Sequence, residues 1–266
     1  MQSKTERIVI IGSGSVATTL GLALYESGHE IMEVVSRQLD HAEALGSKIQ
    51  AKRILDDFSK INVYASLYII AVSDDAIAEV IKKMPKVNGI VVHTSGTSKS
   101  SLLRDKFKNW GIFYPLQTFT TGRSLDYNKI PILITTENKT ISDYLTDVAS
   151  SIGSSVFHLA DESRIHIHIV AVMINNFTNH LLVLADEYMG KHQLPPHLFH
   201  SLLQETVNKA INLGAINAQT GPAARGDMNT INQHLEKIQE QDLPAVKGLY
   251  KMFTKSIMEV HSSTSS

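Results

Sequence analysis

The stretch from Arg7 to Arg37, RIVIIGSGSVATTLGLALYESGHEIMEVVSR, constrains this 266-residue chain more than any other. Ile8-Val9-Ile10-Ile11 is a short apolar run stopped by glycine, the pattern of a buried strand. Gly12-Ser13-Gly14-Ser15-Val16-Ala17 follows at once, and Val16, Leu20, Ala23 and Leu24 then recur at helical spacing. A second strand is expected from Glu30 to Val35. A G-x-G-x-x-G/A string set between a strand and a helix is a dinucleotide fingerprint; without that setting it is a glycine turn and no more. Gly12 permits the tight turn, Gly14 lets the backbone approach a pyrophosphate, and Ala17 keeps the helix close to the strand. The helix N-terminus then offers unpaired N–H groups and a positive dipole end to the phosphates.

The end of the second strand selects the dinucleotide. An NAD site places Asp or Glu there for the ribose 2′-hydroxyl, whereas an NADP site supplies Arg. This chain has Ser36 and Arg37, while Glu33 lies inside the strand and is poorly placed for a ribose. A charge-assisted bond to phosphate contributes about 1.5–3 kcal/mol, roughly 10- to 150-fold in affinity. NADP(H) is therefore expected over NAD(H); the bland alternative is a solvated arginine at a strand end.

The rest of the composition excludes more than it identifies. Lys and Arg total 25 against 26 Asp and Glu, so the net charge is −1 and no basic nucleic-acid surface is expected. The absence of cysteine rules out disulfides and thiolate chemistry and is compatible with a reducing compartment. The first strand begins within a few residues of the start, too early for a signal peptide. No apolar run approaches the ~20 residues of a membrane span. These readings predict a cytoplasmic protein with no membrane or nucleic-acid partner.

Strands are expected near Arg53–Leu55, Leu67–Ser73, Gly89–His93, Gly111–Tyr114, Ile130–Thr135 and Ser154–His158. Helices are expected between them: Asp40–Ile49, Asp74–Met84, Lys99–Trp110 and Thr140–Ser151. Such alternation predicts an α/β class with a largely parallel, doubly wound sheet. After His158 only helical patterns occur, among them one long helix from Asp161 to about Gly190. The chain thus reads as a Rossmann domain, 1–158, followed by an all-helical domain, 159–266.

In a doubly wound sheet ligands sit beyond the carboxyl ends of the strands. Val72-Ser73-Asp74 and Thr94-Ser95-Gly96 follow the two strands nearest the expected nicotinamide and are candidate cofactor contacts, with Thr97 and Gln117 toward the substrate. Helix capping is the competing reading for Asp74 and for Ser95–Thr97. On the long helix His168, Val172, Asn175, Asn179 and Leu182 share one face at α-helical spacing, with Asn176 one position round. A histidine is the natural proton donor or acceptor near neutral pH; the alternative for His168 is a core histidine satisfied by hydrogen bonds. Arg225, in the turn Thr220–Asp227, either holds an anionic substrate or pairs with a carboxylate. His197 and His200 can share a helical face, but no third ligand accompanies them, so no metal is expected.

With these strings in hand the chain resembles a family of NADP oxidoreductases, a Rossmann-like domain followed by a helical domain of undefined function. The resemblance rests on Ile11-Gly12-Ser13-Gly14-Ser15-Val16-Ala17, Ala71-Val72-Ser73-Asp74, Tyr114-Pro-Leu-Gln-Thr-Phe119, the helix carrying Arg164, His168 and Asn176, and Thr220-Gly-Pro with Arg225-Gly-Asp227. It implies kinship with 6-phosphogluconate dehydrogenase, ketopantoate reductase and pyrroline-5-carboxylate reductase. It also implies dimerisation through the helical domain, a substrate cleft at the Rossmann edge, and a link to reductases that pass hydride between NADP and a deazaflavin. The hydroxyacid dehydrogenases of that group carry a catalytic Lys with an Asn on the long helix. This chain has no Lys between Lys139 and Lys191, and His168 with Asn176 can replace that pair. The expected protein is an NADP(H)-dependent oxidoreductase acting on a small carbonyl, hydroxy or imine substrate. The alternatives are a non-catalytic NADP-binding sensor and an NADP–deazaflavin exchanger.

Overall fold

The computed structural model describes residues 5–120, 122–123, 125–238 and 244–263. The first half alternates strand and helix: β1 (Arg7–Ile11), α1 (Ser15–Glu26), β2 (Glu30–Val35), α2 (Leu39–Lys48), β3 (Arg53–Leu55), β4 (Leu67–Ile70), α3 (Asp74–Lys83), β5 (Ile90–His93), α4 (Ser101–Arg104), β6 (Trp110–Pro115), β7 (Ile132–Thr135), α5 (Lys139–Ser151) and β8 (Val156–His158). They form one eight-stranded sheet in the order β3-β2-β1-β4-β5-β6-β7-β8. The first six positions follow the dinucleotide-binding order, whose reversal between β1 and β4 opens the ligand crevice.

Helices cover both faces, so the central strands are apolar on both sides. Ile8, Ile10, Leu24, Leu45, Phe113 and Leu145 pack one face; Val9, Ile11, Tyr68, Ile77, Leu103 and Ile112 pack the other. Fully burying one such side chain contributes about 1.5–3 kcal/mol. The turn after β1 depends on glycine. Gly12 has φ +118°, and a Cβ there would lie 2.1 Å from the Ala71 carbonyl oxygen. Gly21 brings α1 against β1, since a Cβ there would lie 2.9 Å from Ile10 Cδ1.

One expectation needs correction in this half, and one detail of the largely parallel sheet was not foreseen. The helix expected over Lys99–Trp110 is a single turn, α4, because Leu103, Phe107 and Trp110 are buried in the core without continuing a helix. β7 pairs antiparallel to β6, with Pro115 opposite Ile132, and β8 runs parallel to β7. Apolar runs do not encode strand direction.

The helical half comprises α6 (Asp161–Ala171), a π-helical segment (Val172–Phe177), α7 (Thr178–Lys191), a 3-10 turn (Pro196–Phe199), α8 (His200–Leu213), α9 (Ala215–Ala218), α10 (Pro222–Arg225), α11 (Met228–Lys237) and α12 (Pro244–Ser263). The long helix is therefore not uniformly α-helical. A π-turn carries more residues than an α-turn, so the stripe from His168 through Asn175 to Asn179 does not keep its assumed spacing. Contacts divide the chain into two compact units, 1–174 and 175–266. The division falls within the long helix rather than at 158, where the strand signal ends.

The same long helix bears on the expectation that no segment is apolar enough to span a membrane. Asp161–Lys191 is 31 residues long, with a window of mean hydropathy 1.5, long and apolar enough by composition to cross a membrane. That window is 6% buried.

Candidate active site

The residues expected to hold the cofactor gather at the carboxyl ends of β1, β2, β4 and β5. Gly12 N–H donates to the Val35 carbonyl at 2.8 Å, tying the glycine turn to β2. Ser13 Oγ donates to Ser36 Oγ at 2.8 Å, joining the turn to the residue before Arg37. Gly14 faces open space, with no atom within 4 Å of an added Cβ, and caps α1 without a side-chain bond. The N-terminus of α1 thus begins at the glycine turn without a side-chain cap, the kind of helix end that suits an anion. Ala17 is buried, and Arg37 is exposed.

Glu33 is committed elsewhere. Buried on β2, it meets Arg53 Nη2 at 2.5 Å and accepts from the Asn62 N–H at 2.9 Å. No acid of β2 competes with Arg37 at the strand end.

The loops after β4 and β5 are joined to each other. Asp74 opens α3 behind Val72 and Ser73, and its Oδ2 accepts from Thr97 Oγ1 at 2.5 Å. The N-cap itself is Ser73, so the capping reading of Asp74 gives way to this inter-loop bond. Ser95 Oγ accepts from the N–H groups of Thr97 and Ser98, at 3.1 and 2.9 Å, and so shapes its own loop. Thr94 and Ser95 are buried.

His168 closes this loop from α6. A Cβ on Gly96 would lie 2.3 Å from His168 Nδ1 and 3.0 Å from Tyr114 Cζ, so only glycine admits both rings. Tyr114, near the end of β6, places its hydroxyl 3.1 Å from His168 Nδ1. Burial raises the Tyr114 phenol, the nearby Arg164 charge opposes the rise and Asp74 adds to it. The phenol thus stays protonated across the ordinary pH range. His168 is neither fully buried nor alone; one ring nitrogen has a fixed partner.

Two residues that the sequence did not mark as functional hold this geometry. Arg164 is wholly buried and donates to the Ser95 carbonyl (2.8 Å), the Ser98 carbonyl (2.6 Å) and Asp161 Oδ1 (2.6 Å). It lies one helical turn before His168 and clamps the loop on which His168 packs. His93, the last residue of β5, accepts from the Ser95 N–H at 3.2 Å. Burial first, then Arg164, pushes its pKa down to about 4 against the pull of Asp74 and Asp161. A buried histidine ending a central strand, and an Arg one turn before a histidine, were the signals that could have found them.

Gln117 is exposed, and its Oε1 accepts from the Thr118 N–H at 2.8 Å. Asn175, Asn176, Asn179 and Arg225 belong to the second unit, where all four are exposed. In that unit Asp227 caps α11 through Thr230. Among the described residues no three His, Cys, Asp or Glu gather as a metal site.

A classical strand order, a glycine turn under a helix N-terminus and an acid-free end of β2 define a Rossmann-type oxidoreductase fold. Comparison with known proteins makes that specific. Residues 7–95 match the family described as NADP oxidoreductase coenzyme F420-dependent, and residues 130–257 match a domain of unknown function, DUF2520. A solved Bacteroides fragilis structure, BF3122, described provisionally as an NADP oxidoreductase, is 36% identical over 96% of this chain and 98% of that one, with a TM-score of 0.86. This chain belongs to that family of NADP oxidoreductases, whose cofactor is NADP(H).

More distant structures share the fold. A reductive aminase from Aspergillus terreus, solved with NADPH and ethyl-5-oxohexanoate, is 14% identical, covers 95% of each chain and has a TM-score of 0.68. The 1-pyrroline-5-carboxylate reductase of Streptococcus pyogenes is 12% identical over 96% of this chain and 99% of that one, with a TM-score of 0.64. No curated protein matches at the same stringency.

Proposed function

We propose that this protein transfers hydride between NADP(H) and the carbonyl or imine carbon of a small substrate, with His168 exchanging the accompanying proton. The observation that carries this reading is the Tyr114–His168 pair set over Gly96 at the carboxyl ends of β5 and β6. NADPH, when bound, supplies the hydride. The chain's part begins with Gly12, Ser13, Gly14, Ser15, Val16 and Ala17, whose open turn and uncapped helix end suit a pyrophosphate. Ser36 and Arg37 suit the 2′-phosphate. Val72, Ser73, Asp74, Thr94, Ser95 and Gly96 line the nicotinamide side.

In this reading the ring that acts as acid carries a proton on each nitrogen: Nδ1–H donates to the Tyr114 hydroxyl oxygen, and Nε2–H gives its proton to the substrate oxygen or nitrogen, leaving a neutral imidazole with its proton on Nδ1. Thr97, held by Asp74, bounds the substrate side. The proton and the hydride together balance a two-electron reduction.

The test is NADPH oxidation against a panel of small ketones, aldehydes and cyclic imines, with NADH in parallel. Turnover with some member and a preference for NADPH support the reading; cofactor binding without turnover on any member favours the non-catalytic sensor. The family description over residues 7–95 also favours a second reading, hydride exchange with a deazaflavin, and a deazaflavin acceptor belongs in the same panel.

The helical unit also implies a second copy. Among its described residues Leu184, Met189, Ile231 and Ile238 are the buried hydrophobics, whereas Phe177, Leu202, Ile211, Ile216 and Met252 are more than half exposed. So much exposed apolar surface marks an interaction face, and symmetric pairing of identical patches is the commonest way to cover one. His180 and Asn179 within the apolar long helix argue against a bilayer as the cover. We therefore place the protein in the cytoplasm as a homodimer through its helical unit. Sedimentation of wild type and Ile211→Asp tests this, and a monomeric wild type overturns it.

A further inference from the structure

We propose that a second crevice, at the carboxyl ends of β7 and β8, binds a small oxyanion, a phosphate or carboxylate group on a metabolite-sized molecule. The sheet has two sets of carboxyl ends. β1 to β6 run one way; β7 is antiparallel to β6, and β8 follows β7. The crevice beyond the ends of β7 and β8 is thus distinct from the one at the glycine turn, and ligands favour such places. A cleft of about 660 Å³ opens there, within the size range of small-molecule sites.

Its walls carry hydrogen-bond donors from four segments. Lys99, before α4, makes no ion pair among the described residues. Arg104 is half-exposed, and its one ion-pair partner among the described residues is Glu137 at 3.3 Å. α6 begins at the cleft with Ala160 as N-cap and no side-chain cap, so its first N–H groups have no side-chain acceptor. His158, on the wall beside them, has both ring nitrogens engaged, Nδ1 with Ser142 Oγ at 3.1 Å and Nε2 with Thr146 Oγ1 at 3.3 Å.

The independent sign of a ligand is Thr135. It is 8% exposed and lines the cleft, yet its hydroxyl has no partner among the described residues. Buried hydroxyls are normally paired, and one that is not calls for a missing acceptor or donor.

The acids nearby do not oppose an anion. Asp161 accepts from Ser100 Oγ on one oxygen and from Arg164 on the other, both at 2.6 Å. Glu137 already faces Arg104. Ammonium, guanidinium, hydroxyl and helix N–H groups all donate, and an oxyanion is the group that accepts from all of them.

Isothermal titration of the purified protein with inorganic phosphate, and separately with malonate, tests the assignment. Because the glycine turn also attracts phosphate, the titration is repeated with saturating NADP⁺ and with Arg37→Ala. One saturable event should persist in both. It should weaken by about 10-fold or more in Lys99→Ala and in Arg104→Ala, the loss expected for one charge-assisted bond. It should also weaken in Thr135→Val, which keeps shape and removes the hydroxyl, with an unchanged melting temperature. A response to phosphate alone assigns a phosphate ligand, and a response to malonate alone a carboxylate; either supports the site. No saturable heat from either probe overturns it. So does binding that Lys99→Ala and Arg104→Ala leave intact, or that NADP⁺ abolishes. Failure of NADP⁺ to bind at all would count against the cofactor reading, and the Arg37→Ala titration would still decide this one.

Discussion

The Tyr114 hydroxyl and His168 Nδ1 lie 3.1 Å apart, their rings tilted at 57° with centroids 6.0 Å apart. One ring nitrogen of the histidine is therefore spoken for by a phenol that stays protonated. In the proposed reading the bond orients the ring, as such a partner does for catalytic histidines. Tyr114→Phe keeps the ring and removes only that bond. It should lower kcat roughly 10-fold, the equivalent of one hydrogen bond of about 1–1.5 kcal/mol, leave the Kd for NADPH unchanged, and move the pH optimum. An unchanged pH profile would reduce Tyr114 to packing.

The two glycines of the turn should respond oppositely to alanine. At Gly12, φ +118° and a Cβ 2.1 Å from the Ala71 carbonyl make the substitution strained on both counts. Gly12→Ala should cost about 2–3 kcal/mol or more in a urea melt. Gly14 has φ −75° and an open surrounding. Gly14→Ala should leave stability within about 0.5 kcal/mol and still weaken NADP⁺ binding, because the methyl occupies the space where the backbone meets pyrophosphate. Equal destabilisation by both would contradict the geometry.

Arg37→Ala should change cofactor choice rather than fold. Arg37 is exposed, and the β2 acid, Glu33, is held by Arg53 and Asn62. NADP⁺ affinity should fall roughly 10- to 150-fold with NAD⁺ affinity nearly constant. Titrating both cofactors by intrinsic fluorescence measures the ratio, and an unaltered ratio would remove Arg37 from the 2′-phosphate.

Stability should rise with pH between about 4 and 6.5. His93 is wholly buried with a pKa pushed down to about 4, whereas an unfolded histidine titrates near 6.5. In that window the unfolded chain binds a proton that the folded one does not, so acid favours unfolding. Burial lowers His29 as well, against the pull of Glu6, and adds to the same slope. His93→Gln should flatten part of the dependence in urea melts at pH 4.5, 5.5 and 6.5. A slope as steep as wild type would mean that His93 is not the group responsible.

Much of this architecture is legible in the residues, and the gaps have physical causes. β1, the glycine turn, α1 and β2 are readable because each signal sits beside the next. Leu103 and Phe107 mimic helical spacing, but the core takes them up around one turn, so the longer helix does not form. The antiparallel β7 was hidden because a buried strand reads the same in either direction. The π-segment was hidden because Val172–Phe177 is compatible with α-helical spacing on both sides. His168 could be singled out as a proton donor, yet its partner Tyr114 lies 54 residues away in sequence, on another element. Periodicity does not report such a meeting.

The most direct measurement is a single-turnover assay of NADPH oxidation, monitored at the nicotinamide absorbance, on wild type and His168→Gln with the same carbonyl and imine panel. The account predicts that wild type oxidises NADPH with at least one member. It also predicts that His168→Gln slows that step by about 10²- to 10⁴-fold, the range of a lost general acid, with the Kd for NADPH unchanged. Oxidation at the wild-type rate in His168→Gln, or none by wild type across the panel, would contradict it.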